Sequence, residues 1–567
     1  MLRVALVALL GLLVVALDRS HVGVASAAWP VTFTDIGAQA GLVHSTMYGG
    51  VDRKRFIIET NGSGVALIDV DNDGWLDALV LSGTRLKDEA REDAEFAADS
   101  APTNRLYRNT RNGRFEDVTE RAGLRRTGWA SAVCAGDYDN DGLTDVFVTY
   151  FGQNVLYRNV GGRFEDVTRS AGLLTDGVKW GSGCTFIDID RDGRLDLFVA
   201  NYLRFDLKTA PGPGTGANCT WKGMPVNCGP KGLPTDTNLL YRNEGQGKFS
   251  DVSDRSGIAR VTGRYPMTAV AIDMNADNWT DIYVASDSTA AILYRNNKDG
   301  TFTDVAVESG TAYNDQGGAQ AGMGLAVGDY NNDGLLDVMK THFADDIPSL
   351  YRNLGRGLFE DAATTAGLNV QNRYVEWGAG LTDFDNDGLA DLLYVTGSVY
   401  PEIERSLAQY PHRGPRIVFR NSDGSRFEDV TATSGDGATT PHSSRGAAFG
   451  DVDNDGDVDV LVMNMNEPPS LLRNDYAGGH GWVQVALEGR RSNRSAIGAT
   501  VIVTANGRRQ ARAVLSQSSY YSHDDLRLHF GIGAASRVES IEVRWPDGQV
   551  QQLTNVEPRG VVKIVER

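Results

Sequence analysis

A chain of 567 residues with 41 % hydrophobic side chains can bury a large core, and 65 glycines against 17 prolines suit many short strands and tight turns rather than disorder. Its net charge of −19 argues against nucleic acid as a partner, because a phosphate backbone attracts lysine and arginine.

Residues 1–28 read as an export signal. Arg3 supplies a positive start, an apolar run extends from Val4 to Leu17, and Ala25-Ser-Ala27 offers a small-residue cleavage site. The run is shorter than the ~20 residues a membrane span needs. Retention as an anchor is the alternative to cleavage. A soluble mature chain without a membrane span is expected, either secreted or held in a periplasm or at a cell surface.

Residues 31–476 repeat one unit seven times. Its centre is the nonapeptide D-x-[DN]-x-D-[GN]-x-x-D, as in DVDNDGWLD from Asp69 and DYDNDGLTD from Asp137. A phrase such as FEDV precedes each copy, starting at Phe33, Phe115, Phe164, Phe249, Phe302, Phe359 and Phe427, and AGL or SGI usually follows that phrase. A closing phrase of the LYRN type comes after each loop, at Leu106, Leu156, Leu240, Leu293, Leu350, Val418 and Leu471. Each unit therefore holds about four short strands. Seven whole units with no distinct capping repeat predict a closed seven-bladed β-propeller rather than an open solenoid.

Acidic side chains at alternating positions, with glycine where the chain turns sharply, describe a hard-cation site. The expected ligands are Asp69, Asp71, Asp73 and Asp77; Asp137, Asp139, Asp141 and Asp145; Asp188, Asp190, Asp192 and Asp196; Asp273, Asn275, Asp277 and Asp281; Asp329, Asn331, Asp333 and Asp337; Asp383, Asp385, Asp387 and Asp391; and Asp451, Asp453, Asp455 and Asp459. The seventh loop position, Trp75 in the first copy, would add a backbone carbonyl. The pattern contains no histidine or cysteine, which disfavours zinc and copper, and four carboxylates in a flexible loop favour Ca²⁺ over Mg²⁺. Asp-Gly turns alone would explain one acid per copy, not three more at fixed offsets. Six or seven Ca²⁺ ions are expected. The copy at Asp273 is the weakest, with Asn275 at its third position and Asn278 replacing glycine.

Two insertions depart furthest from the repeat, at residues 201–236 and 398–415. In the first, Cys219 and Cys228 are spaced for a disulfide in an oxidising compartment. Cys134 and Cys184, just ahead of equivalent acidic loops, read instead as small buried hydrophobes. Tyr202, Trp221, Tyr400 and Tyr410 either stack on a sugar or protein ligand or pack the insertions onto the blades.

The repeat resembles the FG-GAP or VCBS repeat of the integrin α-chain propeller, which implies a calcium loop joining two strands of each blade. Residues 480–567, with WVQVALEGRRSNRSAIGATVIV, SYYSHDDLRLHFGIG and VESIEVRWPDG, resemble the ASPIC/UnbV domain that follows such repeats in a group similar to cartilage acidic protein. Read from its residues, this segment is a small β-sandwich-like domain with six candidate strands and hairpin turns at Ala505-Asn-Gly507 and Pro546-Asp-Gly548.

No G-x-S-x-G elbow, H-E-x-x-H helix or Walker loop occurs. His523, beside Asp524 and Asp525, reads as a polar strand-edge or turn residue before it reads as catalytic. His412 and His442 lie in or near the insertions. The sequence thus points to a calcium-binding adhesion or recognition module for an extracellular protein or glycan. The alternative is a secreted enzyme acting on a glycan or secondary metabolite.

Overall fold

The computed structural model describes residues 28–86 and 102–567. The expected export signal therefore lies outside the described residues, apart from its last position. No helix among those described is long and apolar enough to cross a membrane.

Seven four-stranded antiparallel units form the blades of a propeller, those of blades two and three joined into one eight-stranded sheet where Lys179 and Trp180 pair with Gly152 and Phe151. Blade one holds Val65–Ile68, Asp77–Val80, Arg105–Asn109 and Phe115–Asp117, and blades two to six repeat this order. In each blade the acidic nonapeptide links the innermost strand to the second, and its ninth residue opens that second strand, as Asp77 pairs with Ile68. Small residues dominate the innermost strands, which are wholly buried in Ala130–Gly136 and Ser444–Gly450.

The phrase opening each sequence unit forms the outermost strand of the preceding blade, so the repeat and the blade are offset by one strand. Phe33–Asp35 accordingly completes blade seven by pairing with Ser470–Asn474, Phe33 opposite Asn474. Chain termini of the propeller thus share one sheet, and the innermost strand of blade one packs against that of blade seven. The ring is closed. The glycine of the AGL phrase ends a one-turn helix in the left-handed region, φ 77° at Gly123, where a Cβ would come within 2.6 Å of the Phe164 carbonyl of the next blade.

Two rings of side-chain hydrogen bonds stitch the blades together. The asparagine of every closing phrase donates to the carbonyl of the second loop residue in the preceding blade: Asn159 to Val70, Asn243 to Tyr138, Asn421 to Tyr330 and, across the closure, Asn109 to Val452, at 2.7 to 2.9 Å. Asn296, Asn353 and Asn474 complete the set. The fourth loop residue is left-handed in all seven copies, from φ 56° at Asn72 to 60° at Arg191 and Ala276, which favours asparagine. In six copies, all but the one with Ala276, its side chain reaches the sixth-position carbonyl of the next blade, as Asn72 to Gly142 at 2.7 Å and Asn454 to Gly74 at 3.2 Å. Asn243→Ala removes one such stitch and leaves buried carbonyls of Tyr138 and Leu195 without a donor. A loss of about 1–3 kcal/mol is expected in denaturant unfolding, whereas exposed Asn112→Ala should change nothing measurable.

The second domain has two sheets, one of Gly481–Glu488, Leu528–Gly533 and Val561–Val565, the other of Thr500–Ala505, Arg508–Ala513, Val538–Arg544 and Val550–Val556. The last of these was not among the six strands expected. Its alternating half-exposed residues, VQQLTNV, carry too few apolar side chains to signal a strand. Asn506 and Gly507, at φ 50° and 72°, form the expected hairpin turn.

Cys219 and Cys228 are bridged, as expected. Cys134 and Cys184 are bridged too, correcting their reading as unpaired core residues. They lie on the innermost strands of blades two and three, one residue out of register with each other, and the side-by-side packing of the two blades brings their Cα atoms to 5.9 Å.

Candidate metal loops, axial plug and opposite face

In five loops the carboxylates at positions one, three and nine converge, with oxygens all within 4.8 Å of one another: Asp69/Asp71/Asp77, Asp137/Asp139/Asp145, Asp188/Asp190/Asp196, Asp383/Asp385/Asp391 and Asp451/Asp453/Asp459. The loop backbone holds two of the three. Position one accepts the N–H groups of positions five and six, as Asp69 from Asp73 at 2.9 Å and Gly74 at 2.8 Å. Position nine accepts the N–H of position two and that of the closing-phrase asparagine, as Asp145 from Tyr138 at 3.1 Å and Asn159 at 2.8 Å. The fifth position stands outside the group and caps the turn, Asp73 accepting the Trp75 N–H at 3.0 Å.

Position three is held less: among these five only Asp385 accepts a loop N–H, that of Asp387 at 3.3 Å. One oxygen each of Asp71, Asp139, Asp190, Asp385 and Asp453 is buried without a hydrogen-bond partner. A buried carboxylate oxygen lacking a donor costs free energy, and three carboxylates this close repel one another. Burial pushes the Asp145 carboxyl up to about 9, and its neighbours Asp139 and Asp137 push the same way. A divalent cation at the centre would satisfy the free oxygens and reverse the repulsion, so this donor set fits an oxygen-seeking ion. The copies with Asn275 and Asn331 at position three do not form a three-carboxylate group among the described residues. Sequence patterning missed the arginine of the closing phrase, which supplies partial countercharge: Arg158 to Asp139 at 2.6 Å, Arg242 to Asp190 at 2.8 Å.

The C-terminal domain sits on this loop face. Gln484 donates to Asp451 at 2.9 Å, the Ala511 N–H to Asp329 at 3.2 Å, Arg527 to the Asp451 carbonyl, and Asp137 N–H to Ser495 at 2.9 Å. From the domain, residues 516–523 descend into the propeller axis, all of them 4 % exposed or less. Gln517 accepts the N–H groups of Cys184 and Ala269 and donates to the Val133 carbonyl, joining blades three, four and two. Ser519 exchanges backbone hydrogen bonds with Leu325, and His523 with Val65 and Leu67. Glycine makes room: a Cβ on Gly64 would lie 1.7 Å from the Tyr521 carbonyl. His523 therefore lines the plug rather than a strand edge. Its Nδ1 meets the Ser516 carbonyl at 2.8 Å, and burial pushes its pKa down to about 4.

The opposite face carries both insertions, locked together by aromatic contacts. Trp221 lies 4.8 Å from Tyr410 and 5.8 Å from Tyr400, centroid to centroid, and Tyr410 donates to Asp345 at 2.8 Å. Tyr202 stands apart, edge-on to Trp180 at 5.1 Å with its hydroxyl donated to Asp287. His442 meets Glu467 at 2.6 Å beside the 398–415 insertion, whose His412 is held by burial near a pKa of about 3.

A closed seven-bladed propeller with acidic loops on one face and a domain plugging its axis defines the class. Family models place FG-GAP-like repeats at residues 95–148, 137–199, 273–339 and 407–462, and the ASPIC and UnbV domain at 489–567. The chain is an FG-GAP-repeat protein with a C-terminal ASPIC and UnbV domain. Cartilage acidic protein 1 of Xenopus tropicalis is 26 % identical over 517 residues, covering 86 % of this chain and 70 % of that protein. The Homo sapiens protein of that name is 24 % identical over 539 residues, covering 88 % and 72 %. Among solved structures, the BP39L lectin of Burkholderia pseudomallei aligns at 9 % identity with a TM-score of 0.44, covering 71 % of this chain and 93 % of the lectin.

Proposed function

We propose that this protein is an exported recognition module in which Ca²⁺ ions, six or seven per chain, brace the ring and the docked domain while the opposite face binds an extracellular protein or glycan. The convergence of both insertions on that face, around a cavity at the axis, carries the reading. Loops on a rigid scaffold are where recognition residues concentrate. The free third-position oxygens support metal in the complete loops, and two disulfides suit an oxidising compartment. Two carboxylates in the same cavity, Asp287 and Asp346, favour a secreted glycan- or metabolite-processing enzyme as the second reading.

Elemental analysis of the mature protein purified with calcium should find six or seven Ca²⁺ per chain, and two or fewer would sink the loops as metal sites. Immobilised protein should retain an extracellular protein or glycan in calcium and release it in chelator. A glycan array without hits, followed by turnover in an activity screen, would establish the enzyme instead.

A further inference from the structure

The cavity on the insertion face measures about 270 Å³. That is just under the usual range for small-molecule pockets, roughly 300–1,000 Å³, and far too small for a folded partner. It admits a choline- or monosaccharide-sized body. Its walls come from the turn before blade one, the 201–236 and 398–415 insertions, and blades four to six.

The walls combine aromatic rings with two carboxylates. Tyr202, Phe343, Trp377 and Tyr400 all line the space. Asp287 lines it too, accepting hydrogen bonds only from neutral hydroxyls, Tyr202 at 2.5 Å and Ser288 at 2.8 Å. Among the described residues neither Asp287 nor Asp346 has a cationic side chain within ion-pair distance. Lys231, the lysine of the lining, is exposed at the rim. Burial raises both carboxyls above the ordinary range, while the Lys231 charge acts on both in the opposite direction, joined at Asp346 by that of Lys340.

Two further polar groups of the wall are unspent. Asn61 and Asn227 are 7 % and 2 % exposed, and the Nδ2 of the first and the Oδ1 of the second have no hydrogen-bond partner. Buried amide atoms are ordinarily satisfied, and a polar ligand body would satisfy these. The floor is rigid. Tyr520 of the plug packs edge-on to Trp377 at 4.9 Å and donates its hydroxyl to the Asn61 carbonyl, and Arg445 stacks on Trp377 at 4.1 Å.

We propose that this cavity binds a small organic cation, its ammonium group seated by Asp287 and Asp346 among the rings of Tyr202, Phe343, Trp377 and Tyr400. Carboxylates supply the charge and aromatic faces the quadrupole that attracts ammonium. The inference rests on the reading of this face as the recognition face and gives its ligand a chemistry.

The test uses the full mature chain loaded with calcium, titrated calorimetrically with choline and glucosamine and with their neutral counterparts, 3,3-dimethylbutan-1-ol and N-acetylglucosamine. At least one cation should saturate one site per chain, and its counterpart should bind about tenfold or more weakly. Choline as the better ligand identifies a quaternary ammonium, glucosamine an amino sugar. Asp287→Asn should weaken the cation by about tenfold or more while keeping the wild-type calcium content and melting curve. If that variant does not fold, Asp346→Asn carries the same expectation. The proposal is overturned if neither cation saturates, if a neutral counterpart binds equally well, or if the folded variant binds as the wild type does. Loss of one calcium in Asp287→Asn would make the occupant a metal and overturn it too. Equal binding of glucosamine and N-acetylglucosamine would end the cation proposal yet leave the recognition reading standing.

Discussion

Stripped of divalent cations, the protein should lose its cooperative melting transition or show it at a far lower temperature. A ligand bound only by the folded state adds RT ln(1 + [L]/Kd), about 2.7 kcal/mol per site at a hundredfold excess over Kd. Five complete loops at that occupancy would together be comparable with the roughly 5–15 kcal/mol that separates a typical folded protein from its unfolded chain. Without the cation the same carboxylates remain buried and mutually repulsive. Single substitutions should rank by what each loop holds. Asp385 is 1 % exposed, has an oxygen without a hydrogen-bond partner and lies 3.3 Å from Arg420, so Asp385→Ala breaks a complete buried charged site and should cost about 3–5 kcal/mol. Asn275→Ala removes one neutral acceptor of the Asp277 N–H and should cost about 1 kcal/mol. An unchanged melting curve in excess chelator would refute the bracing role of the ions. Equal costs for the two substitutions would refute only the ranking.

The second large effect is expected at Gln517. Its side chain makes three hydrogen bonds to the innermost strands of three different blades, at 3.2 to 3.3 Å, in a channel closed to water. Gln517→Leu keeps much of the volume and strands two buried N–H groups and one carbonyl. At about 1–3 kcal/mol for each group left unsatisfied, partly relieved by relaxation, a loss of about 3–5 kcal/mol follows. Gly64→Ala should act through the same contact by driving a methyl group into the Tyr521 carbonyl. Hydrogen exchange at Leu325 and Val65, whose amides bond the plug, should quicken in both variants. If Gln517→Leu unfolds at the wild-type denaturant concentration with those amides still protected, the plug does not hold the ring.

The blades, the loops and the second domain were legible in the residues because their signals are local. A nine-residue pattern carries its acids and its left-handed glycine at fixed offsets, and seven copies in one frame imply radial repetition whatever surrounds them. The one-strand offset was not legible, because pairing Phe33 with Asn474 depends on the ring closing on itself. The same geometry decided the cysteines: residues 50 apart in sequence become neighbours only when consecutive blades stand side by side. The segment SQSSYYSH stands out in sequence only for His523 and for its part in the ASPIC/UnbV resemblance, and its role as a plug appears only where the small residues of the innermost strands leave an axial gap for it to fill. The cavity at the far end of that axis is likewise a product of packing. Ile57, Lys231, Asp287 and Trp377 belong to separate stretches of chain, and only the assembled ring turns them toward one space.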